Sequence, residues 1–291
     1  MAALWRDRAG RFSTLRAATL AVLVLPGLFA AIELGLAVGA SGSLVVTGDA
    51  RPVIGAIHEV GDWAVRFLLV ALAITPAARI FHAPKLIGVR RMVGVAAFAY
   101  AATHLALYVV DLKFDLVQVA SEIVFRIYLT IGFVTLLGLS ALAATSTDAM
   151  VRRLGVNWRR LHRLAYPLTA LALLHFYLQS KIDVSEPVLM TGFFLWLMGW
   201  RAIAALRWPA TGAAMLAGLA LAAAVATGLV EAGWYAVATG VPADRVLAAN
   251  LGFAGGLRPA WWVLIVGLAV AAAAAMTNRR RAVRPARTAP G

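Results

Sequence analysis

Three histidines, His104, His162 and His175, stand in or at the edge of stretches so apolar that they read as membrane-spanning. A strongly polar or ionisable side chain in hydrocarbon costs several kcal/mol unless it is paired or ligated, so an intramembrane histidine marks a functional site by default. The chemistry that suits it best is ligation of heme iron. His104 (AATHLALY) lies deep in the third apolar stretch and His175 (LALLHFYL) deep in the fifth. Both stretches run in the same direction through the membrane. Each histidine lies about 12 to 14 residues from the basic end of its own helix, which brings the two imidazoles to one depth. Two level imidazoles on facing helices are the geometry that bis-histidine heme ligation requires. For either histidine taken alone, a hydrogen bond to a neighbouring helix is the competing account.

The remaining candidates are weaker. His162 (WRRLHRLAY) precedes His175 by 13 residues, about 20 Å along a helix and about 140° round it, and so belongs to the other membrane face. It is either a second heme-associated position and metal ligand or an interfacial side chain. His58 (AIHEVGDW) precedes the second stretch at a depth close to the pair, and a surface role is its default. His82 (IFHAPKL) falls in a solvated loop. Arg90 and Arg91, and the arginines from Arg152 to Arg163, offer guanidinium forks that match heme propionates or a phosphate. Anchoring by the positive-inside rule explains most of them without any ligand.

The elements that must position these side chains follow from composition. The chain has 291 residues, 62% of them hydrophobic, and a mean hydropathy of +0.84, well above the roughly 45 to 50% apolar share of soluble domains. Eight apolar windows of membrane-spanning length occur near residues 17–39, 62–80, 92–110, 123–144, 162–180, 187–206, 211–232 and 260–277. The expected fold is an all-α polytopic membrane bundle of about eight helices, with heme between helices three and five. The formal charge of +14 is topological: 20 of 27 basic residues fall on the side that holds both termini, and ten of thirteen acids on the other. The positive-inside rule then puts both termini in the cytoplasm, and nucleic acid is not a partner. No cysteine is present, which excludes disulfides, iron–sulfur clusters and covalent c-type heme.

Other features are structural. The first apolar run is too long for a signal h-region and reads as a retained anchor. Gly35 and Gly39 make a GxxxG spacing, expected to pack helices. Residues 233–259 form a long outer loop with a short helix expected from Pro242 to Asn250. The Arg/Pro-rich tail after Met276 lies near the anionic inner leaflet, where membrane lipid is its partner. No GxGxxG or GxxxxGK[ST] stands in a strand-to-helix context, so reducing equivalents come from another molecule.

From about Arg51 to Leu206 the chain carries four ordered motifs: IHEVGDWAVRFLLVALAITPAAR at 57–79, PKLIGVRRMVGVAAFAYAATHLALY at 84–108, RIYLTIGFVTLLGLSALAATST at 126–147, and RRLGVNWRRLHRLAYPLTALALLHFYL at 152–178. In these it resembles the MsrQ (YedZ) family, the heme-binding membrane subunits of the periplasmic protein-methionine-sulfoxide reductase system within the ferric-reductase-like transmembrane superfamily. The resemblance implies heme b held by His104 and His175, with His162 and His58 as further heme-associated positions. It also implies a flavin, FMN, and electrons drawn from the quinone pool or a cytosolic flavin reductase. They would pass across the bacterial inner membrane to a periplasmic molybdopterin-containing subunit that reduces methionine sulfoxide. The chain itself would be a non-catalytic electron-transfer subunit. The expected organisation is a first helix within 1–44, the ferric-reductase-like heme domain over 45–207, two added helices with an outer loop over 208–278, and a basic tail over 279–291. Those two helices exceed the family pattern and put the docking surface for the outer partner in question.

Two competing readings belong beside this one. A transmembrane metal-ion reductase would want its own flavin and nicotinamide domain, which the chain lacks. A proton channel or transporter would want intramembrane carboxylates, and Glu33 is the clear instance.

Overall fold

Long apolar runs satisfy their backbone internally as helices, because hydrocarbon offers no hydrogen-bond partner. The computed structural model describes residues 5, 10–41, 52–180, 183–253 and 256–283. Among the charges used for topology, Arg6, Arg8, Asp49, Arg51, Lys181, Arg284 and Arg287 lie outside the described residues, as does most of the basic tail. In chain order the elements are α1 (Thr14–Ser41), α2 (Pro52–Ile80), a 3-10 helix (Pro84–Val89), α3 (Arg90–Asp111), α4 (Leu116–Phe125), α5 (Ile127–Ala144), α6 (Asp148–Leu154), α7 (Val156–His162), α8 (Ala165–Ser180), α9 (Ser185–Ala205), α10 (Ala213–Ala238), α11 (Ala243–Leu251) and α12 (Pro259–Val283).

Among the described residues, seven helical segments are long and apolar enough to cross a membrane: α1, α2, α3 with its 3-10 lead-in, α5, α9, α10 and α12. The fifth expected span differs. Residues 162–180 are interrupted at Arg163 and Leu164, which leaves α8 with 16 residues, about 24 Å against a hydrocarbon core of about 30 Å. The window 123–144 is also broken. Arg126 is extended (φ −110°, ψ 103°), and it separates the short α4 from α5. The apolar exterior suits lipid: Phe29 and Leu36 of α1 are 59% and 69% exposed.

The chain forms two compact units. The first comprises Met1–Ala71 with Gly88–Gln179. Within it α3 packs on α1 and α5, and α4 folds back on α5. Tyr100 fastens α1 to α3 by entering the helical ladder of α1: its hydroxyl accepts from the Gly27 N–H (2.6 Å) and donates to the Leu23 carbonyl (2.8 Å). The insertion falls beside Pro26, which has no N–H to complete the ladder. At α6, the Thr147 side chain caps the Met150 N–H (3.2 Å), one of the donors that a helix start leaves unpaired.

The second unit comprises Leu72–Ile87 with Ser180–Gly291. Here α9, α10 and α12 pack together and α11 lies on α10. Close approach is allowed by small residues: a Cβ at Gly192 would collide with Thr227 and Val263, one at Gly199 with Leu219, and one at Gly267 with Ala220. Gly35 and Gly39, expected to pack helices, meet nothing within 4 Å. Their spacing is a property of an Ala/Gly-rich sequence, and it marks no interface among the described residues. Arg201 of α9 is satisfied by the carbonyls of Leu197 (2.8 Å) and Leu72 (2.6 Å). The short helix expected after Pro242 is α11. Glu231, counted among the ten acids on the outer side, is fully buried inside α10. Its carboxylate is held by Arg258 Nη2 (2.6 Å) and Asn250 Nδ2 (2.7 Å).

Candidate functional site

Tyr100 and His104 are four residues apart on α3 and therefore share a face. Tyr100 reaches α1, and His104 reaches α2, where its Nδ1 lies 2.7 Å from the Ile57 carbonyl. The α8 histidine repeats the arrangement: His175 Nδ1 lies 2.7 Å from the Tyr128 carbonyl of α5. A carbonyl only accepts, so both Nδ1 atoms carry the proton and donate. Each Nε2 is left with its lone pair, which is the state of a metal-ligating imidazole oriented by an outer hydrogen bond.

The two rings face one another. Their centroids are 6.2 Å apart and their planes cross at 89°. Two metal–imidazole bonds of about 2 Å each, with the half-widths of the two rings, separate ring centres by about 6.3 Å. The two rings expected at one depth are brought together, and their spacing would accommodate a heme iron held by both. Among the described residues no three or more His, Cys, Asp or Glu side chains cluster to hold a metal, so the site rests on this pair.

The pair is built by an internal repeat. His104 and His175 each bond a carbonyl 47 residues earlier in the chain. Ile57, Gly61 and His104 map onto Tyr128, Gly132 and His175 by one constant offset of 71 residues. Both glycines lie against the rings: a Cβ at Gly61 would stand 2.8 Å from His104 Nδ1, and one at Gly132 would stand 2.8 Å from His175 Cε1.

A polar chain borders the same end of the bundle. The Tyr108 hydroxyl, one turn beyond His104, donates to the Glu122 carboxylate of α4. Arg126 pairs with Glu122 (3.3 Å) and donates to the Tyr128 hydroxyl (3.2 Å). Thr130 Oγ1 donates to the Ile123 carbonyl (2.6 Å). These contacts fix α4 to the start of α5, and with it the residue whose carbonyl orients His175. The sequence signal for this network is the charge pair Glu122 and Arg126 at helical spacing.

The other expected residues are placed elsewhere. His162 ends α7, stacked on Trp158 (centroids 3.8 Å, interplanar 22°), with Nδ1 3.1 Å from the Trp158 carbonyl and Nε2 3.3 Å from Ser146 Oγ. Burial holds its pKa below the ordinary value, Arg90 and Arg91 push the same way, and the Trp158 carbonyl opposes them. Arg90 and Arg91 open α3, 14 and 13 residues before His104, so they stand about 20 Å away along the helix. Arg91 is paired with Asp148 at 2.7 Å. His58 is exposed on α2 beside Ile57. His82 is exposed too, with Nε2 3.1 Å from Asn278 Oδ1.

Residues 60–173 match the family described as the ferric reductase like transmembrane component, a range that contains both His104 and Gly132 and ends two residues short of His175. Among curated relatives, the protein-methionine-sulfoxide reductase heme-binding subunit MsrQ of Xanthomonas oryzae pv. oryzae (strain MAFF 311018) is 47% identical over 163 residues, covering 56% of this chain and 74% of the relative. The subunit of the same name from Caulobacter vibrioides is 46% identical over 154 residues, covering 52% of this chain and 73% of the relative. No solved structure matches the chain. Identity of 46–47% over about three quarters of these relatives' length, with the match to the ferric reductase like component, places the chain in the MsrQ family of the ferric-reductase-like transmembrane proteins.

Proposed function

We propose that the chain holds heme b between His104 and His175 and carries electrons across the bacterial inner membrane, with both termini cytoplasmic, to a periplasmic protein-methionine-sulfoxide reductase. The observation that carries this reading is the crossed imidazole pair, 6.2 Å apart with both Nδ1 atoms on backbone carbonyls. Heme, when bound, supplies reversible one-electron chemistry. The protein's own share is to orient the two imidazoles, strengthen them as donors through the Ile57 and Tyr128 carbonyls, and exclude water by packing. The relatives are named as heme-binding subunits of this reductase, and the separate partner, a molybdopterin enzyme, would do the chemistry on methionine sulfoxide.

Electrons would enter on the face that carries Arg90, Arg91 and the arginines of α6 and α7. These suit a flavin phosphate, FMN, or a cytosolic flavin reductase, and quinol is the other donor. His162, stacked on Trp158 beside Arg90 and Arg91, belongs to this entry face. The exit face lies near Tyr108, Glu122 and Arg126, with His58 beside it. The test is a reduced-minus-oxidised spectrum of the purified chain with His104→Ala and His175→Ala beside it. Sharp b-type bands that vanish in both variants are expected. A wild type without heme refutes the reading. The match to the ferric reductase like component favours one second reading, direct reduction of Fe(III), and reduction of ferric citrate by the isolated chain would distinguish it.

A further inference from the structure

In three contacts of the first unit a side chain from one helix reaches a main-chain carbonyl within another where the residue four positions on is glycine; the contact of Thr130 with the Ile123 carbonyl differs because α4 ends at Phe125 and the ladder breaks at Arg126. Tyr100 donates to Leu23, and Gly27 follows. His104 meets Ile57, and Gly61 follows. His175 meets Tyr128, and Gly132 follows. The helix explains the pattern. A Cα–Cβ bond tilts toward the helix N-terminus, so the Cβ of residue i+4 covers the turn that holds the carbonyl of residue i. Glycine leaves that oxygen open to a second donor. A Cβ at Gly61 would lie 2.8 Å from His104 Nδ1 and 3.0 Å from Cε1. At Gly132 it would lie 2.8 Å from His175 Cε1, 2.9 Å from Nδ1 and 3.2 Å from Nε2. Neither ring could keep its bond to the carbonyl.

We infer that Gly61 and Gly132 are positioning residues for the heme: by uncovering the Ile57 and Tyr128 carbonyls they seat the two axial imidazoles at right angles and keep both as strong donors. The inference rests on the ligand role proposed above for His104 and His175. Its consequences are electronic. A hydrogen bond from Nδ1–H to a carbonyl raises the basicity of the ligating nitrogen and favours the ferric state. Crossed axial planes leave two iron d orbitals nearly degenerate, which gives a highly anisotropic low-spin ferric signal in electron paramagnetic resonance. Parallel planes give a rhombic one. The repeat that relates Gly61 to Gly132 makes the two ligands equivalent in support although they sit on different helices.

The experiment is electron paramagnetic resonance and redox potentiometry on the full chain in detergent, for the wild type, Gly61→Ala, Gly132→Ala and Gly55→Ala. Gly55 shares α2 with Gly61, and a Cβ there meets nothing within 4 Å. The expected results are a highly anisotropic signal in the wild type and in Gly55→Ala, and a shifted, more rhombic signal with a more positive potential in the other two. A Gly61→Ala or Gly132→Ala chain that remains monodisperse but loses heme also supports the inference, provided Gly55→Ala keeps it. A heme-loaded wild type with a rhombic signal overturns the inference while leaving bis-histidine ligation standing, and so do alanine variants with the wild-type signal and potential. A wild type that loads no heme overturns both.

Discussion

Arg258→Ala removes the guanidinium that closes the buried carboxylate of Glu231. That carboxylate is 0% exposed. Its oxygens are taken by Arg258 Nη2 at 2.6 Å, Arg258 Nε at 3.4 Å and Asn250 Nδ2 at 2.7 Å. Removing one partner of a buried ion pair costs about 3–5 kcal/mol, because the other charge stays behind uncompensated. The Arg258 side chain is 30% exposed, so water can replace part of the lost bond, and the low end, about 3 kcal/mol, is expected. The cost falls on α11. Asn250 belongs to that helix, and its carbonyl accepts from Trp261 Nε1 of α12 at 2.7 Å, so the network is what ties α11 between its neighbours. At about 1.4 kcal/mol per factor of ten, amides over 243–251 should exchange with solvent roughly 10²-fold faster, read by hydrogen-exchange mass spectrometry in detergent. Arg258→Lys keeps the charge but not the fork, and should fall between. The double variant Glu231→Gln, Arg258→Ala removes the stranded charge and should recover part of the protection. Exchange over α11 that accelerates by less than about tenfold in Arg258→Ala would refute the argument.

Tyr100→Phe removes a hydroxyl from between the Leu23 carbonyl and the Gly27 N–H, which are then free to bond each other. The expected loss is therefore small, about 1 kcal/mol, and shows as faster exchange over α1 near Gly27. His162 has its pKa lowered, first by burial, so the unfolded chain takes up its proton at a higher pH than the folded one. Its contribution to stability is present above the ordinary value near 6.5 and is lost as pH falls below it. An imidazole titration by NMR should give a midpoint below 6.5 that moves up in Arg90→Ala. His162→Ala should keep the low-spin signal of the His104 and His175 pair, because His162 makes its bonds to Trp158 and Ser146; loss of that signal would place His162 among the ligands.

The level match of His104 and His175 was legible because it needs only residue counts along two apolar runs and the direction of each run. The helical class was legible for the same reason. The breaks at Arg126 and at Arg163–Leu164 were not. A hydropathy window averages over about twenty residues, whereas a break is one residue's dihedrals, set by where α4 and α7 turn. Glu231 stands at the end of an apolar run and counts in the sequence only toward the acids of the outer side. Its partners Asn250 and Arg258 lie 19 and 27 residues on, and nothing local announces them. The same holds for Gly61 and Gly132. GxxxG at Gly35 and Gly39 drew attention and meets nothing, whereas single glycines with no motif around them touch the histidine rings. Their one signal in sequence was the constant 71-residue offset linking them to the histidines, visible only once the carbonyl acceptors had been identified.

The Glu231 and histidine centres are closed in different ways, as a structural support and a proposed ligand site would be. Glu231 has both carboxylate oxygens engaged by side chains on neighbouring segments, the arrangement of a structural ion pair. This weakens the proton-channel reading at the best-buried carboxylate of the described residues. His104 and His175 are satisfied on one nitrogen only, by backbone oxygens that are themselves already part of a helix. Such an acceptor cannot change rotamer or protonation state, so it holds a ring without competing for the other nitrogen. The two half-buried imidazoles anchored in this way stand 6.2 Å apart. That one-sided anchoring suits the ligand role proposed for the pair, in which the other nitrogen of each ring would bind the iron.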